Sequence, residues 1–283
     1  MKSTIAILLL GTVLAPAAVS AADLSVPLPA PAPIPAPTPM ARWTGLHLGA
    51  GAGIASTKLS MSNRSVLDFY WDCAGPGPCQ TNRYGSSGST DGRSVFATLD
   101  IGYDVQIDRF VLGLGANVDL SNGAGGKVSV DKSVPGIPFP NGSAFQGSGH
   151  VGNGMTAYVR GGVLVTDTSL LYALGGYSVA TAKLDGRFGA GDTSLFYLWS
   201  GGVRGRASAT LSGPTVGVGF EQMLTDRVSL KLEYRYTDLG GLTATGKTSS
   251  GNCNCYVFTA RSRTQMDVTT QSVRAVLSYR FDL

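Results

Sequence analysis

Four cysteines have the most distinctive spacing in this chain, and their chemistry is either disulfide formation or metal binding. Cys73 and Cys79 bracket five residues, and Cys253 and Cys255 bracket one. These spacings are not those of common zinc sites and no histidine lies nearby in the sequence, so we predict no metal site. An even number of cysteines in an exported chain favours disulfides. We expect a Cys73–Cys79 bond, with pairing between the two segments as the alternative, because a Cys253–Cys255 bridge would be strained.

Two histidines, His47 and His150, are the residues best suited to acid–base chemistry near neutral pH. A catalytic histidine needs a partner that orients it and a nucleophile within reach, and neither lies in a motif that supplies them. We expect His47 to be a packed or interfacial strand residue. The glycines form no phosphate loop, because no strand–loop–helix pattern surrounds them. The sequence therefore predicts no cofactor and no enzymatic activity; small barrel enzymes that modify lipid A are the alternative class.

A third group of residues is charged and alternates with apolar residues. Lys231, Glu233 and Arg235, for example, alternate with Leu232 and Tyr234. Successive side chains of a strand point to opposite faces, so this pattern puts the charges on one face and the apolar residues on the other. Because both signs are present, we expect a ladder of ion pairs inside a closed sheet. The predicted ladder consists of Asp100, Arg160, Glu221, Lys231, Glu233, Arg235, Arg274 and Arg280.

Eight segments carry this alternation and must position the ladder. The clearest is Val273–Leu283, in which every odd position is apolar. Three connections are turns of a few residues, whereas four are polar stretches of roughly 25–35 residues, too long for a compact soluble domain. The expected strands are residues 43–57, 93–106, 109–120, 154–166, 169–181, 212–224, 227–238 and 273–283.

This layout is typical of a membrane barrel with short turns on one side and long loops on the other. Lipid cannot hydrogen-bond a free sheet edge, so the sheet must close. We therefore predict an all-β fold: an eight-stranded antiparallel up-and-down transmembrane β-barrel with short periplasmic turns and four long extracellular loops. Aromatic residues near strand ends are expected at the membrane interfaces. They are Trp43, Tyr103, Phe110, Tyr234, Tyr236, Tyr279 and Phe281.

The N-terminal segment predicts export. Lys2 precedes a short apolar run and a small-residue cleavage site, which is the pattern of a secretory signal peptide over residues 1–22. Residues 23–42 are a proline-rich leader expected to be an extended periplasmic tail, and residues 43–283 are the barrel. The net charge of +4 is scattered, so we predict no nucleic-acid partner.

Three segments resemble a known family. Gly213–Tyr236, with Leu-Thr-Asp at 224–226 and Glu-Tyr-Arg-Tyr at 233–236, is similar to the penultimate hairpin of the opacity-like, porin-family small outer-membrane proteins of alpha-proteobacteria, which include major outer-membrane immunogenic proteins. Trp43–Gly49 resembles the first strand of that family, and Val273–Phe281 resembles its last strand. The resemblance covers the strands and not the loops.

The chain departs from the family in three places. His47 takes a position in the first strand that is usually tyrosine in the family. The family often carries acids in its third strand, where this chain has Gly115 and Asn117. The family commonly ends at the final phenylalanine, whereas this chain continues to Asp282 and Leu283. Because Leu283 keeps the alternation, we expect the C-terminal strand still to be recognised by the barrel assembly machinery.

The resemblance implies the outer membrane of a Gram-negative bacterium, with lipid and lipopolysaccharide as neighbours. We expect a non-enzymatic barrel with a structural and surface-display role, which could contact host or environmental ligands. The alternatives are a narrow porin-like channel and capture of hemin by the loops. Aromatic residues that could stack on hemin are Tyr70, Trp71, Tyr84 and Tyr256.

Overall fold

The computed structural model describes residues 43–71, 80–133, 142–192, 199–252 and 256–281. They form antiparallel strands, and among them no helix is long and apolar enough to cross a membrane. The strands are β1 Gly45–Trp71, β2 Gln80–Ile107, β3 Phe110–Ser121, β4 Ala124–Ser133, β5 Gly142–Thr166, β6 Ser169–Asp192, β7 Trp199–Met223, β8 Val228–Asn252 and β9 Tyr256–Phe281.

The strands close into a ring. The first and last strands, β1 and β9, pair from Leu46 opposite Phe281 to Trp71 opposite Tyr256. At the other junction, β3 and β4 both pair with β5, so they are two halves of one third strand. The halves meet at Gly123, whose φ of +87° is a left-handed conformation that glycine adopts without steric cost. The ring is therefore eight-stranded, as predicted.

The three predicted tight turns lie where the sequence put them. Asp108 and Arg109 join β2 to β3, Asp167 and Thr168 join β5 to β6, and residues 224–227 join β7 to β8. Asp108 has a φ of 52°, which aspartate tolerates better than most residues.

The prediction of four long loops is wrong. The stretches expected to be loops are largely continuations of the strands, which reach 28 residues in β2 and 27 in β1. About 9–11 residues of a tilted strand are enough to cross a bilayer, so more than half of each long strand lies beyond it. Of the stretches expected to be loops, residues 72–79, 134–141, 193–198 and 253–255 lie outside the described residues.

An apolar belt surrounds the lower half of the ring. On β2, every second residue from Val95 to Ile107 is apolar and exposed. At about 3.3 Å per residue and a tilt near 40°, this run is roughly 30 Å high, which matches a bilayer core. The inward residues of the same stretch include Asp100 and Asp104, both buried. Lipid outside and charges inside are the pattern expected of a membrane barrel.

Above the belt the ring flattens into two facing four-stranded sheets. One sheet is β4–β5–β6–β7 and the other is β2–β1–β9–β8. Within the described residues, the β7–β8 ladder stops at Thr215 opposite Thr237, and no ladder joins β2 to β4. We call this part of the molecule the extracellular sandwich. Its interior is largely apolar and includes Leu59, Met61, Phe145, Leu184, Phe188, Met266 and Val268. It also holds a buried, hydrogen-bonded polar group formed by Asn63, Ser65, Ser262 and Thr264.

Candidate functional site: the filled barrel interior

The periplasmic end of the barrel is closed by Trp43, which is fully buried. Its indole nitrogen donates a hydrogen bond to the carbonyl of Asp167 at 3.2 Å, and the guanidinium of Arg280 lies 5.3 Å from the ring centroid. Leu164 and Leu170 belong to the same buried cluster. The prediction that Trp43 is an interface aromatic is therefore wrong. It precedes the first strand, so the chain can fold it into the open end of the ring, where it packs in the buried cluster with Leu164 and Leu170.

The first charged layer lies directly above this plug. The guanidinium of Arg160 donates two hydrogen bonds to Asp104, at 2.6 and 2.9 Å, and a third to Glu221 at 2.7 Å. Arg280 approaches the same two carboxylates, at 3.1 Å from Asp104 and 3.6 Å from Glu221. Ser229 donates to Glu221 at 2.6 Å. The strands β2, β5, β7, β8 and β9 are thereby tied together across the lumen.

The second layer centres on Lys231. Its ammonium group lies 2.6 Å from Asp100, which also accepts a hydrogen bond of 2.6 Å from the hydroxyl of Tyr158. Tyr172 donates to Glu233 at 2.6 Å. Both tyrosines sit opposite glycines in register, Tyr158 opposite Gly115 and Tyr172 opposite Gly219. Because glycine has no side chain, the ring of each tyrosine can lie over the glycine on the neighbouring strand and extend into the lumen.

The third layer closes the ladder. Arg235 lies 2.7 Å from Glu233 and donates to Asn117 at 2.6 Å. Arg274 makes a bidentate pair with Asp119, at 3.0 and 3.1 Å. The ladder thus holds five carboxylates and five cations, which cancel. The carboxylates are those of Asp100, Asp104, Asp119, Glu221 and Glu233, and the cations are Arg160, Lys231, Arg235, Arg274 and Arg280.

All eight residues of the predicted ladder lie in these layers, and two carboxylates were missed. Asp104 shares the inward face of β2 with Asp100, four residues away, so the period of two could have found it. Asp119 stands two residues after Asn117 on β3 and supplies the acid that the third strand was expected to lack.

His47 lies between two carboxylates rather than at an interface. Its Nδ1 is 3.2 Å from Asp104 and its Nε2 is 3.5 Å from Asp100, and the side chain is buried. Over the part of the chain that the structure describes, no group of three or more His, Cys, Asp or Glu side chains is arranged to hold a metal ion.

Hydroxyl groups and then apolar residues fill the barrel above the ladder. The hydroxyl of Ser178 is hydrogen-bonded to that of Thr156 at 2.7 Å and to that of Thr215 at 2.5 Å. The hydroxyl of Thr215 is also hydrogen-bonded to that of Thr237 at 2.8 Å. Beside them lies a cavity of only about 90 Å³. Above it the interior is the apolar core of the extracellular sandwich, in which Phe145 is fully buried. The lumen is therefore filled at three successive levels of different chemistry.

The other predicted interface aromatics point outward. Tyr103, Phe110, Tyr279 and Phe281 are exposed near the turns, whereas Tyr234 and Tyr236 are exposed near the upper edge of the belt. Tyr177, also exposed on β6 at the upper edge, was not predicted. Their contact with the membrane interface stays a prediction.

The structure describes only some of the residues that were predicted to lie in loops. Cys73, Cys79, Cys253 and Cys255 lie outside the described residues, as do the side chains of Trp71 and Tyr256. Tyr84, expected as a stacking surface for hemin, instead packs on the core of the extracellular sandwich, with its ring centroid 5.2 Å from that of Phe188.

Comparison with known proteins agrees with this architecture. A family model described as the outer membrane protein beta-barrel domain matches residues 6–281. The chain belongs to this family. It is also 29% identical over 212 residues to the 31 kDa outer-membrane immunogenic protein of Brucella melitensis, an alignment covering 70% of this chain and 72% of the Brucella protein. The protein is thus an outer-membrane β-barrel of Gram-negative type, as the resemblance implied.

Two solved structures match most of this chain's length at low sequence identity. The outer membrane protein OprG from Pseudomonas aeruginosa is 13% identical, with a TM-score of 0.39, over 86% of this chain and 100% of that one. The outer membrane protease OmpT from Escherichia coli is 12% identical, with a TM-score of 0.41, over 83% of this chain and 97% of that one.

Proposed function

We propose that this family member is a non-enzymatic, non-conducting barrel that anchors a rigid platform on the outer surface of the cell. The observation that carries the proposal is the filled interior. A permeable lumen needs a continuous polar path, and this interior is interrupted by Trp43 below and by the apolar core of the extracellular sandwich above. Between them, five carboxylates and five cations neutralise one another.

The platform follows from how the strands continue. Hydrogen-bonded ladders run up to Trp71 on β1 and Asp192 on β6, well beyond the belt. Facing side chains from both sheets, such as Met61 and Phe145, fill the space between them. A packed core holds a surface in one conformation, whereas a loop of similar length would not. Surface display by a fixed platform is therefore favoured over capture of ligands by flexible loops.

Conductance across planar lipid bilayers tests this proposal. We expect the purified, folded, full-length protein to give no discrete conductance steps. The positive control is a variant in which Trp43, Phe145 and Phe188 are replaced by alanine, which removes side chains from both apolar barriers. A matched control replaces the outward-facing Leu99 and Leu114 by alanine and should stay silent.

Regular single-channel steps from the unaltered protein would reject the non-conducting function and favour the narrow channel. Hemin binding is tested separately by titration. A Soret shift at stoichiometric hemin would show that the platform carries a porphyrin site that this proposal does not include.

A further inference from the structure

The outer face of the β4–β7 sheet carries a groove lined by basic residues. Lys127 on β4, His150 on β5, Lys183 on β6 and Arg206 on β7 line it together with Asp185, and its volume is about 640 Å³. The strand register brings them side by side: His150 is opposite Lys183, and Asp185 is opposite Arg206. We call these five residues the basic groove.

Cations far outnumber carboxylates here. Asp185 is shared by three arginines: Arg204 donates two hydrogen bonds to it, Arg206 lies 3.3 Å away and Arg187 lies 3.7 Å away. The hydrogen bond from Arg204 holds the pKa of Asp185 below its ordinary value, so this carboxylate is ionised and already engaged at neutral pH. Within the described residues, Lys127 and Lys183 have neither a hydrogen bond nor an ion pair through their side chains.

This arrangement does not favour stability. Arg187 is directly opposite Arg204 in the β6–β7 ladder, and like charges directly opposite each other on a sheet are destabilising. On the other sheet the cation nearest the belt is Arg93, which is opposite Ser56. Farther from the belt, Lys58 is opposite Asp91 and Arg64 is opposite Arg263. Unbalanced charges gathered on a concave surface are the arrangement that recognises an anion.

The height of the groove identifies the anion. Met155 on β5 and Tyr177 on β6 are exposed at the upper edge of the belt. His150 lies five residues beyond Met155 along its strand, and Lys183 lies six beyond Tyr177. At about 3.3 Å per residue and a tilt near 40°, these side chains stand roughly 12–15 Å above the lipid chains.

The short turns lie at the opposite edge, so the groove faces the outer leaflet. In an outer membrane that leaflet is lipopolysaccharide, whose phosphorylated sugars occupy the zone just above the acyl chains. Arginine and lysine suit phosphate, arginine as a planar fork and lysine as a point charge. We propose that the basic groove binds phosphate groups on the inner sugars of lipopolysaccharide, with Lys127, Lys183 and Arg206 as their ligands. The proposal rests on the location in the outer membrane and not on whether the lumen conducts.

Binding of deep-rough lipopolysaccharide to the folded full-length protein tests the proposal. The groove variant is K127Q/K183Q/R206Q. The control variant, K58Q/R64Q/R263Q, removes the same charge from exposed positions on the other sheet. Slower migration after boiling shows that each variant is folded. We expect the groove variant to bind at least tenfold more weakly than the unaltered protein, and the control variant to bind within about threefold.

Two further probes identify the recognised group. Enzymatically dephosphorylated lipopolysaccharide should bind the unaltered protein about as weakly as the intact lipid binds the groove variant. Equal losses in both variants would overturn the proposal in favour of general charge attraction. Undiminished binding of the dephosphorylated lipid, or tighter binding of a sulfated glycan such as heparin than of lipopolysaccharide, would also overturn it.

Discussion

Replacing Arg160 by methionine tests the ion-pair ladder at the point where it is most connected. The substitution keeps much of the side-chain volume but removes three hydrogen bonds to two buried carboxylates, Asp104 and Glu221. Removing one partner of a buried pair costs about 3–5 kcal/mol. Arg280 stays within 3.1 Å of Asp104 and 3.6 Å of Glu221, so part of the charge remains compensated. We therefore expect a loss near the lower limit, about 3 kcal/mol.

Equilibrium urea unfolding in lipid vesicles measures this loss, with the heat-modifiable gel band reporting the folded fraction. The matched control is Arg263→Met, because Arg263 is exposed on β9 and makes no ion pair within the described residues. It should change the free energy of unfolding by no more than about 0.5 kcal/mol. Adding Glu221→Gln to Arg160→Met should restore at least about 1 kcal/mol, because Asp104 and Arg280 then remain as a neutral pair and no carboxylate is left uncompensated.

Two results would refute the reasoning. A loss for Arg160→Met that matches that for Arg263→Met to within about 0.5 kcal/mol would mean that the layer is hydrated and that its ion pairs contribute little to stability. A double variant, Arg160→Met with Glu221→Gln, that is no more stable than Arg160→Met alone would also refute it, because packing and not uncompensated charge would then set the cost.

Three further predictions concern packing and disulfides. Gly219→Val should cost about 1–3 kcal/mol in the same assay, because the ring of Tyr172 covers this glycine; an unchanged midpoint would contradict the predicted clash. Trp43→Ala should cost about 3–5 kcal/mol because it empties the buried periplasmic plug, and a loss below about 1 kcal/mol would show that the plug is not packed. Mass spectrometry of a non-reduced digest should find a Cys73–Cys79 peptide, and a link to the distal cysteine pair would instead establish the alternative connectivity.

The membrane-spanning half of the barrel could be predicted from the sequence because lipid imposes a strict pattern. Every outward residue must be apolar, so the alternation on β2 and β9 is unbroken there, and the strand ends at the tight turns were found within a few residues. The inward charges follow from the same alternation. Trp43 could not be placed, since an aromatic residue beside a strand end fits the rim and the plug equally well.

The extracellular sandwich was missed because the apolar face changes sides. On β1 the apolar Ile54 points outward in the belt, whereas Leu59 and Met61 point inward above it. On β9, Val273 points outward and Met266 inward. When only the outward positions are checked for apolar residues, this switch from outward to inward apolar residues looks like the end of the strand. Its physical cause is the change of surroundings: lipid requires apolar residues outside, while water above the membrane allows them only inside.

Amide hydrogen exchange of the folded, full-length protein tests most directly whether the barrel is filled along its whole height. Residues 58–66 on β1 and 262–268 on β9 lie above the belt, beside the apolar core. A filled, hydrogen-bonded interior predicts that their amides are protected for hours, as are those of the membrane-spanning halves of the same strands. Exchange within seconds above the belt, with protection confined to the lipid-facing half, would contradict it and restore a short barrel with long mobile loops.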